Sequence, residues 1–394
     1  MAPFCSCLHC TTGMPAVRPD ETGYPLAAMA DVAAPIHPAI WTEPVRGGYP
    51  DPTLFGLSGL EQMRAFFRNL AAPPPIHHLT GMIPTEAQPG AATFTMPATG
   101  WLLCPPGYVQ LGTQAILADG PLGSAIQTSL PPFTAYTTAE LSINHARPVD
   151  ASSGTLVARG RLIFAGRSLG LSETVIEDAR GRVVAHSTSR CVIFPPMGPP
   201  PAELPDYPRV PAAVYDSPDP YLRPEVGEVL GQDIWDRMTG IEVMQGLIDG
   251  GLPAPPITHL TGLRAVEVAE GVSTFVLPAS GWLCSPLGRV EGGAIALLAD
   301  TVIGTSVQTT LPPRTVFLTL DLKVNFLRPV KGDGRDLIGR GTVTHRGRTI
   351  AVAGAELTDA DGKRVALATG TVLIVPDRPW RLEDLPAEAD GSAE

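Results

Sequence analysis

The chain has 394 residues and a formal net charge of −11, with 28 Lys and Arg against 39 Asp and Glu. Because phosphate recognition depends on clustered cations, this acidic balance argues against nucleic acid as a partner and against binding to an anionic membrane surface. The length predicts two or three domains, and no run of about 18 apolar residues indicates a membrane-spanning helix.

The first 50 residues lack hydrophobic periodicity, and we predict that they are disordered. Three of the six cysteines lie here, at Cys5, Cys7 and Cys10. This clustering does not suit a disulfide framework, and a closed zinc site needs a second ligand pair farther along the chain, so no metal site is predicted. The segment also lacks the features of a secretory signal, and a cytoplasmic location is therefore the expectation.

An internal repeat with a shift of 181 residues organises the rest of the chain. Residues 107–123 and 288–304 are identical at 8 of 17 positions without a gap. The same shift carries Asp119 onto Asp300. Self-similarity at one fixed spacing indicates duplicated structure, so we predict two copies of one domain.

Each copy opens with the same two predicted elements. An amphipathic helix is expected at residues 59–70 in the first copy and at 240–248 in the second. An alternating strand follows near residues 91–96 and 272–277. A loop rich in Pro and Gly comes next in both copies.

The second half of each copy predicts a buried helix followed by strands. Residues 110–127 and 291–308 are rich in Ala, Leu and Ile with few charges, which is typical of a mostly buried helix. Four β-rich runs follow, and in the second copy these are residues 317–326, 336–345, 349–358 and 364–375. One buried helix with a long antiparallel sheet around it is an α+β arrangement.

The two copies are separated by a segment that holds 11 prolines between Pro195 and Pro224, which predicts an extended, semi-rigid linker. The predicted divisions of the chain are a disordered segment at residues 1–50, a first domain at 51–195, the linker at 196–231, a second domain at 232–378 and an acidic tail at 379–394.

The pattern of the second copy resembles a known family, the hotdog-fold acyl-CoA thioesterases of the phenylacetate-pathway (PaaI-like) type, here in a tandem double-hotdog form. The resemblance implies two tandem hotdog domains that pack as an intrachain pseudo-dimer with their sheets side by side. The resemblance rests on the order and spacing of several short motifs. These are Trp282-Leu283, Pro286-Leu287-Gly288, Gly292-Gly293-Ala294, Leu298-Ala299-Asp300 and residues 320–329.

In that family, a backbone N–H in the first turn of the central helix polarises the thioester carbonyl. An acid on the partner's helix activates water or attacks the carbonyl, and a Ser or Thr on a following strand assists. Carried over by position, the resemblance implies that the acids are Asp119 and Asp300 and that the hydroxyls are Thr138 and Thr319. A helix N-terminus suits this chemistry, because its unpaired N–H groups meet the developing oxyanion.

The loop before the helix departs from the family pattern. The family's His is replaced by Gln110 in the first copy and by Glu291 in the second, and a preceding Asn becomes Cys104 and Ser285. Leu111 stands where the family has the oxyanion Gly. A backbone N–H survives this change, but the Leu side chain narrows the approach that Gly leaves open.

Because the family's site crosses the subunit interface, the intact Gly-Gly loop should work with the acid of the other copy. We therefore predict a productive site built from Gly292, Gly293, Asp119 and Thr138. A weaker mirror site would combine Asp300 and Thr319 with Gln110, Leu111 and Gly112. The residues expected to contact substrate are Glu291, Ser285, Gln110 and Gly112.

Structural roles for these residues stay open. Asp119 or Asp300 alone could be a structural acid bonded to a hydroxyl or an amide, and Glu291 could be an acid stabilised by the helix dipole. Thr138 and Thr319 also suit a strand for their β propensity.

Two classes of function remain, namely hydrolysis of an acyl-CoA and non-catalytic binding of an acyl-CoA. A hotdog hydratase is disfavoured, because no His follows either acid within ten residues. No cofactor is expected, since coenzyme A is part of the substrate, and a homodimer of double hotdogs is compatible with the family.

Overall fold

The computed structural model describes residues 39–199, 207–211 and 213–377. The Cys-rich start and the acidic tail, with the predictions that concern them, lie outside these residues. Within the described residues, no helix has the length and apolarity needed to cross a membrane.

The first repeat carries helices that flank a run of strands. Its helices are α1 (Gly59–Phe67), α2 (Pro75–Thr80) and α3 (Leu111–Gln127). Its strands are β1 (Ile83–Gln88), β2 (Ala91–Pro97), β3 (Tyr136–His145), β4 (Thr155–Ala165), β5 (Leu169–Glu177) and β6 (Val183–Ile193).

The second repeat follows the same plan after the linker. Its helices are α4 (Gln232–Arg237), α5 (Gly240–Ile248), α6 (Pro256–Thr261) and α7 (Gly292–Gln308). Its strands are β7 (Arg264–Ala269), β8 (Val272–Pro278), β9 (Thr315–Phe326), β10 (Asp336–Arg346), β11 (Ile350–Thr358) and β12 (Arg364–Pro376).

Local sequence signals explain where the short helices begin and end. The side chains of Ser58 and Thr239 cap α1 and α5, and Thr239 forms a reciprocal capping box with Glu242. Gly81 and Gly262 end α2 and α6 in the left-handed region at φ 76°, which favours glycine. The helices α2 and α6 and the strands β1 and β7, each only six residues long, were not predicted.

The strands of the described chain join one antiparallel sheet in the order β1-β2-β4-β5-β6-β3-β9-β12-β11-β10-β8-β7. The two halves of this order mirror each other, and they meet where β3 pairs with β9. Ser142 lies opposite Lys323 in that pairing, and these two residues are equivalent under the 181-residue shift. A pseudo-two-fold axis therefore passes through this pair.

The long helices α3 and α7 pack across the two halves of the sheet and against each other. Their N-terminal glycines permit a close approach, because a Cβ at Gly112 would lie 2.7 Å from the Leu297 Cα and one at Gly293 would lie 2.4 Å from the Ile116 Cα. The prediction of an α+β fold with two tandem hotdog domains as an intrachain pseudo-dimer is confirmed.

The segment before the first repeat packs on the second one. Ile40 is 4% exposed. The Trp41 ring lies directly on Gly262, because a Cβ there would come within 2.3 Å of it. Residues 39–50, the described end of the segment predicted to be disordered, thus have Ile40 buried and Trp41 partly buried. The other predicted domain limits stay predictions.

Candidate active site

The two acids on the long helices each face the other repeat. Asp119 lies on α3, and its Oδ2 accepts a hydrogen bond from the Gly293 amide at 3.1 Å. Asp300 lies on α7, and its Oδ2 accepts from the Gly112 amide at 2.7 Å. Each carboxylate thus meets the N-terminus of the partner helix, where unpaired amides and the positive end of the dipole favour negative charge. The structure places both acids in the crossed arrangement that the resemblance implies.

A threonine on the central strand of each repeat completes this contact. The hydroxyls of Thr138 and Thr319 lie beside Asp119 and Asp300, respectively, where each lowers the pKa of its acid. Directly after each threonine, the pairing of β3 with β6 and of β9 with β12 shifts register. Tyr136 and Phe317, two residues before the threonines, lie against the same helices, so the alternation of the strand brings both hydroxyls to the helix side. The bulges were not predicted from the sequence.

Both acids sit in a poorly solvated environment that changes their acidity. Burial raises the pKa of Asp300 to about 6, and the hydrogen bonds from the Gly112 amide and the Thr319 hydroxyl oppose this rise. Burial raises the pKa of Asp119 to about 6 in the same way, against hydrogen bonds from the α7 amides and Thr138. A carboxylic acid with a pKa near 6 is well matched to accept a proton near neutral pH. Asp300 is 2% exposed, whereas Asp119 is partly exposed.

The predicted contact residues of the Asp119 site lie around the start of α7. Glu291 is the N-cap residue of α7, and its Oε2 has no hydrogen-bond partner among the described residues. Burial and the nearby Asp119 charge raise the pKa of Glu291 well above its usual range. Ser285 lies in the preceding turn, where its hydroxyl accepts a hydrogen bond from the Leu287 amide at 3.4 Å. Gly292 packs beside the Asp119 carboxylate.

The corresponding residues of the Asp300 site lie around the start of α3. Gln110 is the N-cap residue of α3, and its Nε2 donates to the Thr301 Oγ1 at 2.6 Å, which links the two repeats beside Asp300. Cys104 is buried in the position equivalent to Ser285, and burial raises the pKa of its thiol to about 12. The thiol is therefore neutral at physiological pH and a poor nucleophile.

A cavity of about 400 Å³ opens at the Asp300 site. Asp300, Thr319 and Gln110 lie in its wall, and most of the remaining surface is apolar. The apolar side chains come from α5, the segment around α6 and the sheet, and include Met244, Leu247, Ile248, Leu263, Phe275 and Phe317. Its volume falls within the range of small-molecule sites, about 300–1,000 Å³. The cavity thus lies at the site that the sequence ranked second, and the ranking of Asp119 first stays a prediction.

Larger side chains occupy the equivalent region of the first repeat. Phe66 and His77 pack edge to face there, with ring centroids 5.8 Å apart. The 181-residue shift places Leu247 and Thr258 at these two positions in the second repeat, and both line the cavity. Because Leu247 and Thr258 are smaller than the two rings, they leave space beside Asp300 that the rings fill beside Asp119. The sequence shows that the side chains at these equivalent positions differ in size. Their effect on the cavity could be predicted only with the knowledge that α1 and α5 cover the acids.

The two long helices also differ in what packs on them four residues after each acid, at Gly123 in α3 and at Gly304 in α7. A Cβ at Gly123 would lie 3.1 Å from the Tyr136 hydroxyl, so this hydroxyl covers α3 close to Asp119. A Cβ at the equivalent Gly304 would lie 3.6 Å from the ring of Phe317, which has no hydroxyl. Gly304 lines the cavity.

Comparisons with known proteins agree with this picture of the second repeat. The family model of the thioesterase superfamily matches residues 287–366, a range that contains Gly292, Asp300 and Thr319. Two curated relatives both carry the name "Putative esterase". The one from Halobacterium salinarum is 36% identical over 98 residues, which cover 23% of this chain and 63% of that protein. The one from Vibrio cholerae is 25% identical over 146 residues, covering 37% of this chain and 93% of that protein.

Solved structures include similar chains of comparable size. The tesB protein of Mycobacterium avium subspecies paratuberculosis is 12% identical, with a TM-score of 0.47 over 81% of this chain and 100% of that chain. Among the curated relatives, the match with the Halobacterium salinarum protein spans less than two thirds of that protein's length.

Proposed function

We propose that the protein hydrolyses an acyl-CoA to a free acid and coenzyme A, and that the reaction takes place at Asp300. One observation carries this proposal. The Asp300 carboxylate, the Thr319 hydroxyl and the N-terminus of α3 meet in the wall of an apolar cavity of about 400 Å³ that both repeats build. An acyl chain needs such an apolar space, and its thioester needs an acid and amide donors at the same place.

The two oxygens of Asp300 have different environments, which suits a general base. Oδ2 is held by the Gly112 amide at 2.7 Å, while Oδ1 has no hydrogen-bond partner among the described residues. In the proposed step, Oδ1 takes a proton from water as the water oxygen attacks the thioester carbon. The carbon–sulfur bond then breaks, and the departing thiolate receives the proton from Asp300. Direct attack by the carboxylate on the thioester is the alternative route.

The start of α3 supplies the electrostatic part of the proposal. Negative charge that develops on the thioester oxygen is stabilised by first-turn amides and by the positive end of the helix dipole. By position, the Leu111 amide is the proposed donor, since the Gly112 amide already binds Asp300. Gln110 fixes the approach of α7 through its hydrogen bond to Thr301. The proposed reaction uses water as its only co-substrate.

The acyl-CoA substrate and the PaaI-like type rest on the residue pattern together with the cavity. The family that matches residues 287–366 and the names of both curated relatives are those of thioester and ester hydrolases. The proposed substrate class is therefore a coenzyme A thioester with an apolar acyl group.

A thiol-release assay on the purified protein with a panel of acyl-CoAs tests this function. Asp300→Asn should lower kcat/KM at least about 100-fold, because Asn keeps the shape of the carboxylate but accepts no proton. Asp119→Asn is the matched control from the other repeat and should cost less than about tenfold. The reverse order would assign catalysis to the Asp119 site. Binding of acyl-CoA without hydrolysis by the unmodified protein would favour the non-catalytic function.

A further inference from the structure

A stripe of residues along α7 forms one wall of the cavity. Asp300, Gly304 and Gln308 follow each other at intervals of four, so they share one face of the helix, and all three line the cavity. Gln308 lies eight residues beyond Asp300, which corresponds to about 12 Å along the helix axis. Gly304 between them contributes no side chain and leaves the wall open.

Gln308 is a buried polar group whose amide nitrogen is unpaired among the described residues. It is 5% exposed, and its Nε2 has no hydrogen-bond partner among the described residues. A buried amide without a partner is destabilising because its lost hydration is not replaced, so its presence in an apolar wall requires an explanation.

The first repeat shows what the missing partner was. The equivalent residue, Gln127, donates from its Nε2 to the Gln62 Oε1 at 3.1 Å. The 181-residue shift places Val243 at the position of Gln62, and Val243 is fully buried. The second repeat therefore has the same glutamine but an apolar side chain at the position of the partner. This change occurs in the repeat with the cavity.

We infer that Gln308 recognises a terminal hydroxyl on an aliphatic acyl chain whose thioester lies at Asp300. A hydroxyl both donates and accepts, so it pairs with either end of the Gln308 amide. The separation of about 12 Å from Asp300 fits an extended chain better than a single ring. This inference rests on the proposed function, because it takes the cavity as the acyl site. Gln308 is then a specificity-determining residue of that site.

Binding of non-hydrolysable ligands tests the inference apart from catalysis. The probes are S-alkyl coenzyme A thioethers of graded chain length, each with and without a terminal hydroxyl, titrated into the whole protein by calorimetry. At the best-fitting length, the hydroxyl should tighten binding about five- to tenfold, the range of a neutral hydrogen bond of about 1–1.4 kcal/mol.

Two variants identify the residue responsible. Gln308→Met keeps the length and the unbranched shape of the side chain, and it should reduce the preference for the hydroxyl to about onefold or less. Gln127→Met makes the same change outside the cavity, and it should leave the preference unchanged. Equal affinities for the two probes in the unmodified protein, binding of neither probe, or a preference that survives Gln308→Met would overturn the inference. If the unmodified protein prefers the hydroxylated probe but hydrolyses no acyl-CoA, the proposed function is refuted and the ligand assignment stands.

Discussion

Replacing Asp300 by Asn should stabilise the protein at pH 8 while it removes activity. The carboxylate is 2% exposed, and burial raises its pKa to about 6. Above pH 6 the folded protein therefore holds a charge in a place where solvation is poor. Asn is neutral, and its side-chain oxygen can still accept the hydrogen bond that the Gly112 amide now gives to Asp300.

The magnitude follows from the difference between the folded and unfolded pKa values. A folded value of about 6 against the ordinary 3.8 corresponds to about 3 kcal/mol. Because the folded pKa of this acid is the higher one, the folded state binds more protons than the unfolded state between about pH 4 and pH 6. The contribution of Asp300 to stability is therefore fully present below about pH 4 and lost as the pH rises through 6.

Unfolding followed at pH 4 and at pH 8 measures this difference. At pH 8, Asp300→Asn should raise the free energy of unfolding by up to about 3 kcal/mol, or the melting temperature by about 4 °C for a chain of this size. At pH 4 the two proteins should be nearly equal. Asp236→Asn on the exposed surface of α4 is a suitable control and should change little at either pH. A variant that is less stable than the unmodified protein at pH 8 would refute the reasoning.

Two further predictions concern the reaction itself. The kcat/KM for acyl-CoA hydrolysis should rise with pH through about 6 and then level off, because Asp300 acts in its deprotonated form and burial raises its pKa to that value; a rate that falls over this range would speak against a carboxylate base. Gly304→Ala should add about 0.5–1 kcal/mol of stability in denaturant unfolding through helix propensity. Its new Cβ would lie 3.6 Å from Thr319 Oγ1 and narrow the cavity, so hydrolysis of long-chain substrates should fall more than that of short ones; an unchanged chain-length profile would show that the acyl group lies elsewhere.

The repeat and its consequences could be predicted from the sequence because they depend on pattern alone. A constant shift of 181 residues implies two equivalent domains, and alternating strands beside one apolar helix imply a sheet that packs on that helix. Equivalent domains that pair edge to edge around a two-fold axis must place some residue opposite its own equivalent. In the structure that pair is Ser142 and Lys323.

The position of the cavity could not be predicted because it depends on side-chain volumes contributed by distant segments. Phe66 and His77 fill space near Asp119, whereas Leu247 and Thr258 leave it near Asp300. The sequence ranking considered only the loop before each helix, where Leu111 stands against Gly292. The difference between the two loops has less effect than the sequence predicted. In each site, the amide of the glycine that follows Leu111 or Gly292 donates a hydrogen bond to the acid of the other repeat.

The two acids share one geometry, which a structural acid and a catalytic acid can both adopt. Both Asp119 and Asp300 accept a hydrogen bond from a helix N-terminus, and a threonine lies beside each, although only Asp300 adjoins the cavity described above. A hydrogen bond of this kind satisfies an amide that the helix leaves unpaired, so the pseudo-dimer gains from it whether or not a substrate binds. Selection for folding therefore suffices to explain the acid pair. At the Asp300 site, the features that folding does not explain are the open cavity and the unpartnered Gln308 amide, and these two carry the functional argument.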